Sequence, residues 1–531
     1  MQFSPSLALI VSLAVHLSSL THGVYAQLKP AALRARVTPA ALNHFVHVGE
    51  EIIKDIILHM KIPKIHYQQG KNRFDATDMV ILRYTDPRIF YELIGPKTIK
   101  VGIQMSRIEF RANYEAERTI VSSSVMDKLK KIFGKRKSIG VKDHGVFGAQ
   151  AGDFMLWIKV ELHKDISGNF MIKTTDCMTR MNDFIADIRT SKALDWMISK
   201  VSERLSEELN PILSEGICTA TEEYLDKYTN TFLRTLPSLT EMFYSFHFDS
   251  ALTSNPRVHN RPDYVETEHS GEVVYMPQPN VFPDPAPFAP TPLPNQPGGD
   301  RMVYAWGSQY IINSALYYAH ESRLFRITVD KQQFPEYAGY MEADCGIFSV
   351  CLSNLWPDLI RNYPGAHGIL NVASLEPPRI EVTPDGVKIF GKASFRIDLQ
   401  LADGDPNNPE PLLDSRFELE GALNPTIDGS NNYFKGSFSL AKAQFTITTL
   451  KHDGGLGREK FEKMLGQLAG PIGSTVANSY LSAGFPIPDM VGVHLINPVI
   501  VLNRGYFELN TNLNYTLPFD PKEFLGDTIG N

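Results

Sequence analysis

Between Pro277 and Pro297 the chain carries nine prolines in 21 residues. Proline has a fixed φ and no amide hydrogen, so neither a helix interior nor a central strand survives that density, and the segment reads as an extended, semi-rigid connector. It divides the 531 residues into two parts, each long enough for its own core; one core rarely grows beyond about 250–300 residues. The parts differ in charge: residues 27–256 hold 32 basic and 28 acidic side chains (+4), and the remainder holds 20 and 31 (−11), giving −7 in all. An acidic chain argues against a nucleic-acid partner. With 43% hydrophobic and 21% charged residues, wholesale disorder is excluded.

The first 26 residues contain no Lys, Arg, Asp or Glu, and Leu7 to Leu20 form an apolar stretch that runs on to Val24-Tyr25-Ala26. This pattern predicts a secretory signal peptide over 1–26, cut near Ala26. Nothing later approaches about 18 uninterrupted apolar residues, so no transmembrane segment is expected, and the mature protein is expected to be soluble, secreted and extracellular. Export permits disulfides among the four cysteines. Cys177 and Cys218 stand 41 apart, Cys345 and Cys351 form a local C-x5-C that is a possible second pair, and none has the C-x2-C spacing of a zinc site. Asn514-Tyr515-Thr516 is a glycosylation sequon.

Thr38 as N-cap and Pro39 at the first helical position open a stretch with Leu42, Phe45, Val46, Ile52, Ile53, Ile56, Ile57 and Met60 at three- and four-residue spacing. This predicts a long amphipathic helix whose stripe, by periodicity alone, faces ordinary core. Strands follow, with Ile99, Val101, Ile103 and Met105 alternating with polar residues, and likewise Phe154, Leu156, Ile158, Val160 and Leu162. A second helix carries Leu194, Met197, Ile198, Val201, Leu205 and Leu209 on one stripe, kinked at Pro211. Beyond the prolines the order recurs: a helix through Ile311, Ala315 and Tyr318, a strand through Ala393, Phe395, Ile397, Leu399 and Leu401, and a late helix. That helix bears Phe461, Met464, Leu465, Leu468, Ile472, Val476 and Tyr480, interrupted at Pro471. No residue-level repeat accompanies this shared order of elements, which suggests two similar domains.

The prolines lead into "DRMVY" (Asp300 to Tyr304) and a "YxxNxA" helix (Tyr310, Asn313, Ala315); "LRTLP" (Leu233 to Pro237) precedes them and "GFPIP" (Gly484 to Pro488) follows. In these motifs and their order, nearly the whole mature chain resembles the family of bactericidal/permeability-increasing protein, lipopolysaccharide-binding protein and plasma lipid-transfer protein. The resemblance implies an α+β fold, an elongated boomerang of two barrel-like domains, each a highly twisted antiparallel sheet wrapped around a long helix, joined by a central sheet. The expected division is a barrel over 27–256, a central strand and Pro-rich linker over 257–300, a second barrel over 301–517 and a polar tail over 518–531. It also implies that phospholipid is held as ligand, without a cofactor, its acyl chains in an apolar pocket in each barrel. At about 0.8 kcal/mol per buried CH₂, sequestering two long chains is strongly favourable. The implied lining is Phe45, Val46, Ile52, Ile53 and Ile56 on the first helix and Leu194, Met197, Ile198, Val201 and Leu205 on the second, with Leu465, Leu468, Ile472 and Val476 as C-terminal equivalents. Cys177 and Cys218 match the family disulfide that ties a strand to the second helix; Cys345 and Cys351 have no family counterpart.

"DKLKKIFGKRKSIGVK" gathers Lys128, Lys130, Lys131, Lys135, Arg136, Lys137 and Lys142 around Ile132 and Phe133. It aligns approximately with the basic tip by which the family's bactericidal members grip lipid A phosphates, and its chemistry suits lipopolysaccharide or an anionic membrane surface. A solvated charged loop fits the same composition, and a half at +4 is much less basic than an endotoxin-killing protein should be. No G-x-S-x-G, H-E-x-x-H or Gly-rich phosphate loop occurs, so no enzyme is expected. His44 and His47 share a helix face but lack a further ligand, so no metal is expected; "GGLGREK" (Gly454 to Lys460) reads as a turn before a helix. The expectation is a secreted lipid-binding or lipid-transfer protein, with innate-immune recognition of lipopolysaccharide through the basic tip as the alternative.

Overall fold

Apolar–polar alternation is realised as antiparallel sheet wherever strands pair. The computed structural model describes residues 30–59, 64–69, 72–120, 139–188, 211, 214–219, 221–222, 224–235, 237–243, 245–278, 281–295, 299–332, 339–344, 351–405, 408–428, 433–451, 457–486 and 493–515. Among these the strands form four sheets, and every pairing is antiparallel.

The N-terminal sheet runs in the order Ile65–Gln69, Asn72–Tyr84, Thr98–Ile120, Ile139–Lys164 and Phe170–Ile188, with Arg88–Leu93 also pairing on Thr98–Ile120. Of the predicted inward residues, Ile103, Met105, Phe154, Leu156, Ile158, Val160 and Leu162 are buried, and Ile99 and Val101 are half-buried. A straight strand of 26 residues would reach about 85 Å. Register shifts around Gly152 interrupt its ladder, and such bulges bend and twist a strand. The C-terminal sheet runs Arg326–Val329, His367–Ser374, Gly386–Gln400, Glu410–Asp428, Tyr433–Leu450 and Phe485–Pro486, with Arg379–Thr383 pairing on Gly386–Gln400. Its core gathers Trp356, Leu359, Leu399, Leu412, Leu413 and Phe461. A three-stranded sheet of Glu272–Tyr275, Phe246–Asp249 and Leu239–Phe243 lies between the two in sequence.

The fourth sheet takes strands from both ends of the chain, in the order Arg257–Asn260, Asp263–His269, Leu33–Val37, Val303–Ser308, Tyr506–Tyr515 and Val493–Asn503. From the middle outward its two halves repeat one scheme: an opening strand, then the later and the earlier strand of a closing hairpin. The opening strands pair with Ala35 opposite Ala305, and each leads into a helix, Pro39–His59 and Tyr310–Glu321. The repeat that no residue pattern announces is therefore present in the connectivity, and each half covers the strand edge the other would leave unpaired. Arg36, 1% exposed, donates to Glu266 at 2.7 Å between the rings of Tyr264 and Trp306, 3.9 and 5.0 Å from its guanidinium carbon.

The proline connector is pinned along its length. Ala286 N donates to buried Glu272, Thr291 N to Ser308 and Arg34 to the Pro294 carbonyl, while Phe288 packs on Tyr310 and Tyr317. Thr38 stands at the N-cap, its carbonyl accepting from Leu42 N, and its hydroxyl donates to the carbonyls of Arg301 and Met302, so it also fastens the helix start to the connector's end. One local expectation needs correction. The late helix is not interrupted at Pro471 but continuous over Arg458–Ala483: proline removes one intrahelical bond, while side-chain contacts to the sheet on either side of it hold the axis. Gly457, at φ +76°, makes the left-handed turn before that helix, as "GGLGREK" suggested.

Candidate functional site

In the N-terminal half the helix Pro39–His59 is fastened by polar groups on one side. Ile89 N donates to Glu50 Oε1 at 3.1 Å, the Tyr84 hydroxyl donates to the Lys54 carbonyl at 2.8 Å, and Lys54 pairs with Asp86 at 3.7 Å. At about 3.6 residues per turn, positions 45, 52 and 56 fall on the face opposite Glu50 and Lys54. Phe45 and Val46 are half-buried; Ile52, Ile53 and Ile56 lie on this helix with side chains outside the described residues. The sheet's inner face is a continuous apolar surface of Phe74, Ile103, Met105, Ile108, Phe110, Phe147, Phe154 and Ile158, against which Ile217 packs. The predicted lining Leu194, Met197, Ile198, Val201 and Leu205 lies outside the described residues.

The chain then returns alongside the last strand of this sheet, Phe170–Ile188. The Cys177–Cys218 disulfide is formed, with Cα atoms 5.6 Å apart. Further along, Thr174 N donates to Asp226 at 2.8 Å, and Asn230 in the helix Asn230–Thr235 closes a reciprocal pair. It accepts from Ile172 N and donates to Ile172 O, both at 2.8 Å. An edge strand's free amide and carbonyl are thus satisfied by one side-chain amide in place of another strand.

The C-terminal half repeats the device. Helix Arg458–Ala483 runs antiparallel along Tyr433–Leu450, whose outer edge, among the described residues, otherwise pairs through Tyr433 and Phe434. Ile447 N donates to Glu462 at 2.7 Å and Leu440 N to Ser474 at 3.3 Å. Asn478 accepts from Phe438 N at 2.6 Å and donates to Phe438 O at 2.9 Å. At Gly466 a Cβ would stand 2.8 Å from the Ala443 carbonyl oxygen, so glycine is what lets helix and strand backbones meet. Of the predicted C-terminal lining, Leu465 is buried beside Phe461; Leu468, Ile472 and Val476 lie on the same helix with side chains outside the described residues. A third clamp joins Asn313 of Tyr310–Glu321 to Ile380 N and O, at 2.7 and 3.2 Å. Asn230 and Asn478 escaped the sequence reading, and Asn313 entered it only as part of a motif. No sequence signal marked them, because an asparagine on a helix reads the same whether it meets water or a strand edge.

The basic residues Lys128, Lys130, Lys131, Lys135, Arg136 and Lys137 lie outside the described residues. The strand ends that flank them carry charges of both signs. Exposed Lys142 pairs with Glu117 at 3.6 Å, and the Tyr114 hydroxyl donates to Asp143; burial, with the Asp143 carboxylate beside it, pushes that hydroxyl up to about 12. Burial works to raise the Asp75 carboxyl, but hydrogen bonds from His66 and Arg73 hold it below the ordinary value. His47 contacts Glu50, and among the described residues no three His, Cys, Asp or Glu gather as a metal set would. Asn514 is exposed on Tyr506–Tyr515. Cys351 is buried and disulfide-bonded; Cys345 lies outside the described residues. No helix among the described residues is long and apolar enough to cross a membrane.

Comparison with known proteins places these features in context. Residues 242–515 match the model of the LBP / BPI / CETP family, C-terminal domain. The chain is 18% identical over 491 residues to the bactericidal permeability-increasing protein of Sebastes schlegelii, covering 91% of this chain and 95% of that one. It is 21% identical over 373 residues to the lipopolysaccharide-binding protein of Bos taurus, covering 70% and 73%, and 20% identical over 496 residues to the cholesteryl ester transfer protein of Homo sapiens, covering 91% and 92%. The crystal structure of lipopolysaccharide binding protein superposes with a TM-score of 0.50 at 17% identity, covering 92% of this chain and 99% of that one; this likeness concerns the fold.

Proposed function

The chain belongs to the LBP / BPI / CETP family, and from that premise we propose that it is a secreted, non-catalytic protein that binds or transfers lipid, holding phospholipid acyl chains between helix and sheet in each half. The observation that carries the reading is the repeated arrangement: an apolar sheet face with a helix fastened along its edge by polar side chains, once in each half. Polar contacts at the seam leave the apolar faces free to meet acyl chains, and burying methylenes supplies the driving force. The headgroup stays at the opening, where polar groups and water can satisfy it.

The second reading is recognition of lipopolysaccharide through Lys128 to Lys137. Its support is the likeness to proteins named for that ligand; against it stands the charge balance on the flanking strands, where Lys142 is already paired with Glu117.

The test is to purify the secreted protein without detergent, extract it with organic solvent and quantify the lipids by mass spectrometry. Close to two phospholipids per chain is the expected result. A chain that is empty and takes up no phospholipid from vesicles refutes the reading. Changing Lys130, Lys131, Lys135, Arg136 and Lys137 to Gln should spare phospholipid loading; abolished endotoxin binding in that variant would establish the second reading.

A further inference from the structure

In each half a helix stands where a further strand would close the sheet, and the two seams are fastened differently. On the N-terminal side the return segment is bolted to Phe170–Ile188 by the Cys177–Cys218 disulfide, and Asp226 and Asn230 continue the contact to Thr174 and Ile172. Among the described residues these contacts run along about 17 Å of strand from Cys177 to Ile172, and they are covalently anchored at Cys218. On the C-terminal side neither Tyr433–Leu450 nor Arg458–Ala483 contains a cysteine. The polar contacts described across that seam come from Glu462, Ser474 and Asn478. They span about 24 Å of helix and about 30 Å of strand.

Hydrogen bonds from single side chains exchange readily with water and each adds little net stability, whereas a disulfide does not part at all. Asn478 makes the only reciprocal clamp described on this seam, and it sits near the helix end that leads into Phe485–Pro486, itself held by two residue pairs. Nothing covalent stops this end of the helix from swinging off the Tyr433–Leu450 edge, exposing the sheet face behind it.

We propose that the seam between Arg458–Ala483 and Tyr433–Leu450 is the opening through which phospholipid passes into and out of the C-terminal half, with Asn478 the positioning residue that sets how often it parts, while the disulfide-bolted N-terminal half retains its lipid. This rests on the lipid-binding reading above. The two halves then have different tasks: one exchanges lipid with its surroundings, the other holds lipid in place.

The experiment loads the full chain from vesicles of pyrene-labelled phosphatidylcholine and follows release to unlabelled phosphatidylcholine vesicles. The wild-type protein should release lipid in a fast and a slow phase of similar amplitude. Asn478→Ala should quicken the fast phase about tenfold with unchanged lipid per chain, and Ser474→Ala, which loses a longer bond, should quicken it less. Cys177→Ser/Cys218→Ser should quicken the slow phase. Release that is indifferent to both Asn478→Ala and Ser474→Ala, or both phases accelerating together in either variant, overturns the assignment of the seam. A wild-type chain that loads no phosphatidylcholine overturns the lipid-binding reading itself, whereas normal loading with an insensitive fast phase sinks the seam alone. Should Asn478→Ala fail to fold, Ser474→Ala decides.

Discussion

Replacing Arg36 by Met tests whether the six-stranded sheet that joins Leu33–Val37 to Val303–Ser308 is held as described. Methionine keeps an apolar stem between the Tyr264 and Trp306 rings and removes only the charge and its donors, which reach Glu266 at 2.7 and 3.2 Å. Glu266 is 4% exposed, so its carboxylate cannot turn to water once the partner is gone. Breaking a buried pair from one side costs about 3–5 kcal/mol. Here Arg34 and Arg257 remain 3.7 and 3.8 Å from Glu266, close enough to soften the loss, so the lower end, about 3 kcal/mol, is expected. Chemical denaturation followed by circular dichroism measures it. Adding Glu266→Gln should recover a good part of the loss, because most of it is the cost of a stranded charge rather than of a missing contact. A single variant within about 0.5 kcal/mol of wild type, the range of an ordinary surface substitution, or a double variant with no recovery, would refute this account of the central sheet.

Cys177→Ser opens a loop of 41 residues and should lower stability by about 4 kcal/mol on the chain-entropy relation; an unchanged melting temperature would show that the return segment needs no bolt. Stability should also fall in acid. Burial works to raise the Glu268 carboxyl, but Arg34 and Arg257 hold it below its ordinary 4.5 in the folded chain. Its contribution is therefore complete above that value and is lost as the pH drops through the depressed one. Glu268→Gln should flatten the acid limb of a pH–melting curve relative to wild type; an unaltered limb would mean the carboxylate is not held as described.

Much of the architecture was legible because its determinants are local. Alternation at Phe154 to Leu162 needs only the two-residue period of a strand with one face in a core, and those residues are buried as expected. The connector follows from proline's missing amide, and the helix starts at Pro39 and Arg458 follow from a proline and a left-handed glycine beside them. The greasy stripes announced helices with an apolar face, but periodicity cannot say whether that face meets side chains or a ligand, and Phe461 and Leu465 pack as ordinary core. The three asparagine clamps were not legible: a polar residue on a helix reads as solvent-facing until the strand edge it serves is known. The continuous helix through Pro471 contradicted a local rule because contacts on both sides of the proline, made by Glu462 and Asn478, outweigh one lost intrahelical bond.

By itself the sequence determined the strand and helix types, the glycine and proline turns and the motifs that carry the family resemblance, because each depends on groups a few bonds or a few residues apart. The tertiary structure alone decided that Ala35 would face Ala305, that both chain ends would meet in one central sheet, and that helices would close the sheet edges with single amides. Those outcomes depend on unpaired backbone groups finding partners from more than 200 residues away to as near as 40, and a donor's need for an acceptor leaves no mark in the residue that supplies it.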